Sequence, residues 1–489
     1  MNSAIDQRLA LRNFERVKIS HEPPEKRIHS FTVEPLMEYT DHEGIAEASR
    51  CIGCNICTQS CPASLDIGGY IRSTAVGDPA ETIRIVFENL PFPAIIGRVC
   101  THNCEDICVY NDTGGPIAIR HLKRYAADKF DDYGKILDMP KRKFIGKKVA
   151  VIGGGPAGLT TAYYLAIQGV AVTLFEARPE LGGFMKQGIP RYRLPQEVLD
   201  KEIGFITNLG VEVHTNTQVG KDVKFEDLMA DYDAVFMGIG NHKARMTGTP
   251  GSDAKNIMHA TEFLGRVAYG EKINVGNTVV VIGGGFTAND SSRVSMRLGA
   301  KKVYILYRRR EVDRPGYPSS NAEEEMEESI EENVQYMWEV TPFEYVSENG
   351  KVAGVKYWEN EMVMEGRGRA KPVPKKEKVL YIPADMVIEA TGQESDFSFL
   401  GEDYLRQLRL TPQGHVIVNQ NGMTTIKGLF SGGDSTNINR DLITAVRDAD
   451  IAAVGILNYL NVMDQIADDK WLPLVDRWKK YSPSAAIKS

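Results

Sequence analysis

Apolar runs and glycines occur in the same arrangement at two places in the chain. Residues 149–152 and 279–282 are uninterrupted apolar runs, and three consecutive glycines follow each of them. A second apolar run follows in both places, at residues 170–175 and 303–307. Continuous apolar runs are typical of strands buried in a parallel sheet, and a glycine turn leads from strand to helix. The repetition predicts two βαβ units of the nucleotide-binding kind within one chain.

The same patterning predicts helices on either side of these units. Helical spacing of apolar positions indicates helices within residues 79–89 and 117–130. Residues 323–332 are mostly glutamate, with Met326 and Ile330 at helical spacing. We therefore expect a helix with a solvated acidic face there, and a docking face for a partner is the alternative.

Composition limits the class of protein. At 489 residues the chain is too long for one hydrophobic core, and its net charge of -7 offers no basic surface for nucleic acid and none for an anionic membrane. The N-terminus lacks a secretory apolar stretch, so we expect a cytoplasmic protein. Residues 149–175 carry no charge, but their glycines favour a buried βαβ unit over a membrane helix. The basic residues 141–148 favour a solvated linker over a binding patch.

The first glycine loop, residues 153–158, has the spacing of a dinucleotide site. Gly153 permits the tight turn, Gly155 lets the backbone approach a diphosphate, and Gly158 allows close helix packing. Glu176 ends the next strand, where a carboxylate would bind the ribose hydroxyls. We predict FAD at this loop, with Pro156 and Ala157 also in contact; the alternative is a buried βαβ unit without a ligand.

The second glycine loop, residues 283–288, is followed by arginines instead of a carboxylate. The strand after it ends in Arg308, Arg309 and Arg310. Guanidinium groups bind a 2′-phosphate that a carboxylate would repel, so NADP(H) is favoured over NAD(H). The alternative is a solvated basic turn facing Glu311 and Asp313. The predicted nucleotide contacts are Gly283, Gly285, Phe286, Thr287, Ala288, Arg308 and Arg309.

Two further apolar runs end in small residues, at residues 384–392 and 428–434. Small residues let the backbone lie against a flat ring system, and an acid beside them would reach a ribityl hydroxyl. Gly392, Gly433 and Asp434 are therefore predicted FAD contacts. Without this context both runs would be ordinary strands with a glycine turn.

The seven cysteines all lie between residues 51 and 108. Such crowding favours a metal site over disulfides. The spacing of Cys51, Cys54, Cys57 and Cys61 with the following proline matches a ferredoxin run, in which the fourth cysteine serves a second cluster. Zinc sites pair their cysteines differently. Two clusters need eight ligands, so one ligand is not a cysteine, or one cluster is incomplete or absent.

In their order and spacing these motifs resemble the small subunit of bacterial glutamate synthase and its relatives. Those relatives include the large subunit of NADH-dependent reduced ferredoxin:NADP oxidoreductase and the N-terminal half of dihydropyrimidine dehydrogenase. The likeness covers about residues 41 to 460. It rests on both glycine loops and on residues 51–62, 97–100, 115–119, 182–195, 307–309 and 432–434.

The resemblance implies a ligand set for each of two [4Fe–4S] clusters. One cluster takes Cys51, Cys54, Cys57 and Cys108, and the other takes Cys61, Cys100 and Cys104. The relatives complete the second cluster with Gln or Glu in the helix after the Gly-Pro-Ile sequence, where this chain has Lys123. The candidates for the missing ligand are His121, His102 or another side chain; a water-ligated iron or a three-iron cluster is the alternative. Phe286 also departs from the asparagine common in relatives, and Gly183, Arg193 and Gly240 are further expected FAD contacts.

We predict an α/β protein in which a helical iron–sulfur domain precedes two Rossmann-like domains, with the NAD(P) domain inserted in the FAD domain. The expected boundaries are 1–145 for the helical domain, 146–245 and 384–462 for the FAD domain, 246–383 for the NAD(P) domain and 463–489 for a tail.

The resemblance implies an oxidoreductase subunit that moves electrons between NAD(P)H, FAD and clusters, with the hydride chemistry carried by the cofactors. Its partner would be ferredoxin, an iron–sulfur subunit or a substrate-converting subunit, as in a glutamate synthase, bifurcating or 2-oxoacid oxidoreductase complex. A thioredoxin-reductase-like disulfide reductase is excluded because no cysteine follows Cys108. A non-catalytic subunit that keeps its cofactors structurally is the alternative.

Overall fold

The computed structural model describes residues 15–137, 143–364 and 369–465, and its first part is helical. Reciprocal bonds between Thr40 and Glu43 cap the second helix, and Asp66 and Asp78 cap the next long ones. The helices predicted within residues 79–89 and 117–130 are confirmed, at Pro79–Phe87 and Ile119–Asp128. Helices α1 to α9 are Pro24–Arg27, Asp41–Ser49, Ile56–Ser60, Ile67–Ala75, Pro79–Phe87, Pro93–Val99, Asn103–Asp106, Ile119–Asp128 and Gly134–Leu137.

The rest of the described chain alternates strands and helices. Helices α10 to α18 are Pro156–Ala166, Phe184–Gln187, Gln196–Thr207, Phe225–Asp231, Ala260–Ala268, Phe286–Arg297, Ser320–Glu331, Glu402–Gln407 and Leu442–Tyr459. Strands β1 to β8 are Lys148–Ile152, Ala171–Phe175, Glu212–His214, Ala234–Met237, Lys243–Ala244, Ile257–His259, Thr278–Ile282 and Lys302–Leu306. Strands β9 to β16 are Val334–Met337, Val340–Glu348, Lys351–Val363, Lys371–Pro374, Leu380–Pro383, Met386–Glu389, Gln393–Glu394 and Leu429–Ser431.

Two parallel sheets form the nucleotide-binding part. The first has the strand order β16-β4-β1-β2-β3, and the second has the order β6-β14-β7-β8-β9. The chain leaves the first sheet after β4, builds the second, and returns to pair β16 with β4. The outgoing and returning connections pair with each other through β5 and β15. One nucleotide-binding domain is therefore inserted in the other, as predicted.

The strand β14 changes one predicted boundary. We expected residues 384–462 to belong to the first nucleotide domain, but β14 lies in the second sheet, where Val387 pairs with Val280 of β7 and with Ile257 of β6. Hydrogen bonding to two parallel neighbours fixes the strand there. The chain therefore returns to the first domain only after Glu389.

A small antiparallel sheet packs against the second domain. Strands β10 and β11 form a hairpin, and β12 and β13 both pair with β11. Asn349 and Gly350 at the hairpin turn both have positive φ, at 53° and 74°, as two-residue hairpin turns of this twist require.

The helical part and the first nucleotide domain share one hydrophobic core. Phe87 of α5 lies 5.0 Å from Tyr133 and 5.2 Å from Phe205 of α12, both edge to face. Aromatic pairs at this spacing contribute more than their buried area alone. The helical part is therefore packed directly against the FAD-type domain.

The acidic helix α16 differs from its prediction. Glu325, Glu328 and Glu332 are buried instead of solvated. Their carboxylates pair with arginines that come from other elements, and Arg293 of α15 donates to Glu328 at 2.6 Å and to Glu332 at 2.7 Å. Buried charges require such partners, so this face of the helix is internal.

Residues 466–489 of the predicted tail lie outside the described residues. Within the part of the chain that the structure describes, no helix combines the length and the apolar character that a membrane span requires.

Candidate functional site

The first glycine loop joins β1 to α10 and meets the carboxylate predicted for the ribose. Glu176 is buried at the end of β2. Its Oε2 accepts a hydrogen bond from the backbone N–H of Gly154 at 2.7 Å, and its Oε1 accepts one from Arg178 N–H at 2.8 Å. The loop and the carboxylate are therefore one preformed unit, as a dinucleotide site requires.

Glycine packing closes this loop against its neighbours. A Cβ at Gly158 would lie 1.9 Å from the carbonyl oxygen of Gly153, so only glycine lets α10 start here. A Cβ at Gly183, whose φ is +53°, would lie 2.8 Å from Gly155 Cα. Gly155 is the N-cap of α10 and Pro156 is its first residue, so free backbone N–H groups point out of the helix N-terminus. This cradle fits the diphosphate of FAD.

The ends of β4 and β16 bring further predicted residues to the same edge. Gly433 has a φ of +75°, and a Cβ there would lie 3.0 Å from Ala157 Cβ. Asn241 Nδ2 donates to the backbone oxygen of Asp434 at 3.2 Å, next to Gly240. Burial raises the pKa of Asp434 to about 6. Gly155, Ala157, Gly183, Gly433 and Asp434 thus converge, and their assignment to FAD stays a prediction.

Arg193 and Gly392, two further predicted flavin contacts, have partners within the protein, and their assignment to FAD stays a prediction. The Arg193 guanidinium donates to both carboxylate oxygens of Asp290, at 2.7 and 2.8 Å, and pairs with Glu325. It therefore joins the first domain to α15 and α16, because a buried guanidinium requires carboxylate partners. Gly392 follows β14 of the second sheet, and its carbonyl oxygen lies 3.0 Å from His259 Nε2.

The second glycine loop joins β7 to α15 in the same way as the first. Gly283 has a φ of +150°, and a Cβ at Gly284 would lie 2.5 Å from the Tyr307 ring. Gly285 is the N-cap of α15, and Phe286, Thr287 and Ala288 form its first turn. The loop residues predicted for the nicotinamide nucleotide are therefore collected at one helix N-terminus.

The three arginines after β8 have different environments. Arg310 pairs with Asp313 at 2.7 Å. This pairing is the one expected if the arginines form a solvated basic turn. Arg309 Nε donates to the carbonyl oxygen of Ala370 at 3.3 Å. Arg308 is exposed, and its side chain makes no hydrogen bond or ion pair within residues 15–137, 143–364 and 369–465. Arg308 is thus available to an anionic ligand.

Arg314 is a buried cation near this loop that sequence patterning did not single out. It is 3% exposed, and its guanidinium lies over the Tyr317 ring at 4.7 Å. The next residue, Pro315, would be 3.6 Å from a Cβ at Gly285. Arg314 follows the run of basic residues that begins at Arg308, which was the only sequence feature that pointed to it. The burial of Arg314 cannot be inferred from that run.

Four cysteines line one cavity, here called the first cavity. They come from the turn before α3, from α3 itself and from the segment after α7, and Ile119 closes the inner wall. Burial raises the pKa of Cys57 to about 11 and raises that of Cys51, so both thiols stay neutral until a metal displaces their protons. The lining cysteines are Cys51, Cys54, Cys57 and Cys108, which fit a four-thiolate [4Fe–4S] cluster.

The other three cysteines line another cavity, here called the second cavity. Cys61, Cys100 and Cys104 share it with Lys123 of α8. Burial raises the pKa of Cys100 and of Cys104, and the nearby Lys123 ammonium acts in the opposite direction on both. This donor set is one thiolate short of a four-cysteine cluster.

His121 is not part of the second cavity, contrary to the ligand role considered for it. Its ring lies 6.3 Å from the Tyr39 ring, and burial lowers its pKa well below the usual value. His121 and Lys123 are two residues apart on α8, so they lie about 200° apart around the helix axis and cannot face one cavity. The helix phase therefore selects Lys123.

No three His, Cys, Asp or Glu side chains of the described residues converge tightly enough to hold a single metal ion. A single zinc ion needs four ligands at about 2.0–2.3 Å from one point. A multi-iron cluster has no such requirement, because its irons are ligated separately.

Comparison with protein families gives two matches. Residues 134–449 match pyridine nucleotide-disulphide oxidoreductase, and residues 27–135 match dihydropyrimidine dehydrogenase domain II, 4Fe-4S cluster. No cysteine follows Cys108, so the first match brings the nucleotide-binding domains without a redox disulfide.

Among curated proteins, the chain is 34% identical over 468 residues to the glutamate synthase [NADPH] small chain of Escherichia coli, covering 90% of this chain and 97% of that protein. It is also 34% identical to the NADP(+)-dependent formate dehydrogenase subunit beta of Moorella thermoacetica, covering 86% of this chain and 62% of that protein.

Among solved structures, Mycobacterium tuberculosis FprA in complex with NADPH superimposes with a TM-score of 0.54 at 18% identity, covering 70% of this chain and 91% of that one. At this identity the likeness concerns the fold.

Proposed function

Because this chain belongs to the family of the glutamate synthase small chain, we propose that it carries electrons between NADPH and a separate partner protein. The chain is an oxidoreductase with FAD, a nicotinamide nucleotide and a 4Fe-4S cluster as cofactors. FAD supplies the step from hydride to single electrons when bound. The chain's own residues position the cofactors and connect them.

The observation that carries this proposal is that the two cysteine-lined cavities lie in succession between the flavin edge and the surface. The flavin edge is the edge of the first sheet where the predicted FAD contacts meet. Ile443 lies in the first turn of α18, the helix that follows the segment with Gly433 and Asp434, and it lines the second cavity. Ile119 lines both the second and the first cavity. The two cavities are thus neighbours, and the order from flavin edge to surface is second cavity, then first cavity.

We assign one cluster to each cavity. The four thiols of the first cavity complete a cluster by themselves, and the three thiols of the second begin another. The second cavity would place its cluster next to the flavin, and the first cavity would place its cluster at the surface. Electron transfer from the flavin to a partner protein needs this arrangement.

The preference for NADPH is proposed from Arg308. This exposed guanidinium follows the strand that leads from the second glycine loop, where a ribose 2′-phosphate would lie. The E. coli relative is named as NADPH-dependent, which agrees with this position.

The partner is proposed to dock over the first cavity. Ile52, Ile56, Ile107 and Val109 are 52%, 39%, 42% and 45% exposed around it, and Cys54 is exposed as well. Clustered exposed apolar side chains mark interaction surfaces. An electron-transfer subunit or a ferredoxin is the partner that this position serves. We propose a reducing compartment, the cytoplasm, because cysteines that ligate clusters must not form disulfides.

The test is anaerobic purification of the native complex and identification of its other chains. We expect an iron–sulfur or substrate-converting protein, and we expect Ile107→Glu to release it. Val379→Glu is the matched control, since Val379 is 55% exposed, directly precedes β13 of the antiparallel sheet and does not line either cavity, so its charge should leave the complex intact. A chain that purifies alone, or a complex that survives Ile107→Glu, would contradict docking at this surface.

A further inference from the structure

The second cavity contains a buried cation directed at its thiols. Lys123 is 4% exposed and lines the cavity with Cys61, Cys100 and Cys104. In the part of the chain that the structure describes, the ammonium has no hydrogen bond or ion pair with any carboxylate or carbonyl group. A buried ammonium without compensation is costly, so its natural counter-charge is what the cavity itself would hold.

The neighbouring histidines do not supply a fourth ligand. His121 faces Tyr39 on the other side of α8. His102 lines the cavity, but its Nδ1 lies 3.2 Å from Ser320 Oγ and its Nε2 lies 3.8 Å from Glu324 Oε2. Both ring nitrogens of His102 therefore lie near side chains of α16.

An ammonium cannot replace the missing ligand. Lysine in its charged form offers three hydrogen-bond donors and no lone pair, so it cannot coordinate iron. It can donate to sulfur atoms and neutralise negative charge instead. Arg120 also lines the cavity, but its guanidinium is paired with Glu324 at 2.7 Å. The three cysteines and the Lys123 ammonium therefore fit a cluster in which one iron has no protein ligand.

We propose that the second cavity holds a cluster on Cys61, Cys100 and Cys104 alone, with Lys123 as its counter-cation and hydrogen-bond donor. This inference rests on the proposed function, because it assumes that the cavity holds a cluster. One iron then lacks a protein ligand and is exchangeable. The cation stabilises the more negative, reduced cluster, and so it raises the reduction potential of that cluster.

The first measurement uses the wild-type holoprotein. Anaerobic incubation with an iron isotope visible by Mössbauer spectroscopy should label one iron site of one cluster. Mild oxidation should convert that same cluster to a three-iron cluster with its own EPR signal. If every iron of both clusters resists exchange, the proposal that one iron lacks a protein ligand is wrong.

The second measurement separates a counter-cation from a ligand. Lys123→Met should lower the reduction potential of the second cluster, whereas Lys123→Arg should keep it near the wild-type value. Lys129→Met is the matched control: Lys129 follows α8, is 33% exposed and pairs with Asp41, so its loss should leave both potentials unchanged. Equal changes in both Lys123 variants, with loss of one iron environment, would instead identify Lys123 as an iron ligand. No change in either variant would overturn the electrostatic role.

Iron analysis distinguishes failure of this inference from failure of the proposed function. Wild-type chain should hold more than about four irons, and Cys104→Ala should fall to about four. A wild-type chain with only about four irons, unchanged by Cys104→Ala, would show that the second cavity holds no cluster. The proposal that one iron lacks a protein ligand would then be wrong together with the two-cluster part of the proposed function.

Discussion

The guanidinium of Arg193 lies 2.7 Å from Asp290 Oδ1 and joins the two nucleotide-binding domains. Arg193 belongs to the turn before α12, Asp290 to α15, and their side chains are 12% and 4% exposed. Burial raises the pKa of Asp290 although Arg193 acts against it, which marks a carboxylate that depends on its partner. The relative position of the domains therefore depends on this pair.

We expect Arg193→Ala to lower the free energy of unfolding by about 3–5 kcal/mol, because it leaves the Asp290 charge buried and unpaired. Arg406→Ala is the control: its pair with Glu402 is 72% and 85% exposed, so about 1 kcal/mol or less should be lost. Urea denaturation of the three proteins measures the difference. Equal losses for the two variants would contradict a structural role for the buried pair.

The first glycine loop predicts a second outcome. Gly158→Ala places a Cβ 1.9 Å from a backbone oxygen, so the loop must move and FAD binding should weaken at least tenfold, which is about 1.4 kcal/mol. Gly204→Ala in α12 meets no atom within 4 Å and should leave the flavin content unchanged. Flavin released per chain after purification and dialysis is the measurement. Full flavin occupancy in Gly158→Ala would contradict FAD binding at this loop.

The exposed arginine after β8 predicts nucleotide selectivity. Arg308→Ala with Arg309→Ala should weaken NADPH binding by about 1.5–3 kcal/mol for each guanidinium–phosphate hydrogen bond removed, and should leave NADH binding nearly unchanged. Arg310→Ala is the control, since Arg310 is engaged by Asp313. Dissociation constants for both nucleotides decide the matter. Equal weakening of NADPH and NADH, or a wild-type preference for NADH, would contradict recognition of the 2′-phosphate.

A buried carboxyl at the contact between the helical part and the first nucleotide domain predicts a pH effect. Glu202 of α12 accepts hydrogen bonds from Ala94 N–H, Ile95 N–H and Tyr133 O–H at 2.6, 3.0 and 2.8 Å. Burial outweighs these bonds and raises its pKa from 4.5 to about 7.

A raised carboxyl pKa means that the folded state binds the proton more tightly than the unfolded state. The stabilisation from Glu202 is therefore complete below pH about 4.5 and declines as the pH rises to about 7, by about 3 kcal/mol in all. Glu202→Gln cannot ionise, so its denaturation midpoint should fall less than that of the wild type over this range. Parallel pH profiles for the two proteins would contradict the raised pKa.

Local patterns made much of the fold predictable from the sequence. Both glycine loops and Glu176 follow rules that operate within one strand-turn-helix unit, so their geometry was readable in advance. The prediction for strand β14 was wrong because an apolar strand ending in small residues looks the same in either parallel sheet. Only its pairing with β7 distinguishes them.

The errors share a physical cause, which is dependence on distant partners. The charges of Glu328 and Glu332 read as solvated because Arg293 is far away in sequence. The sequence could not decide whether Lys123 or His121 faces the second cavity. That choice depends on how α8 is rotated about its axis, which the order of residues does not fix. The two cysteine sets came from a family resemblance, and the lining of the two cavities agrees with that division.

The most direct measurement of electron transfer is an anaerobic NADPH titration of the purified, reconstituted chain, followed by absorbance and EPR. We expect one FAD per chain to bleach and the signal of a reduced iron–sulfur cluster to follow. In Cys57→Ala the flavin should still bleach, and the signal of the first cluster should be absent. A chain that carries FMN or no flavin, or one whose absorbance is unchanged by NADPH, would contradict the assignment as an FAD-dependent electron-transfer subunit. The second result would favour the alternative, a non-catalytic subunit that keeps its cofactors structurally.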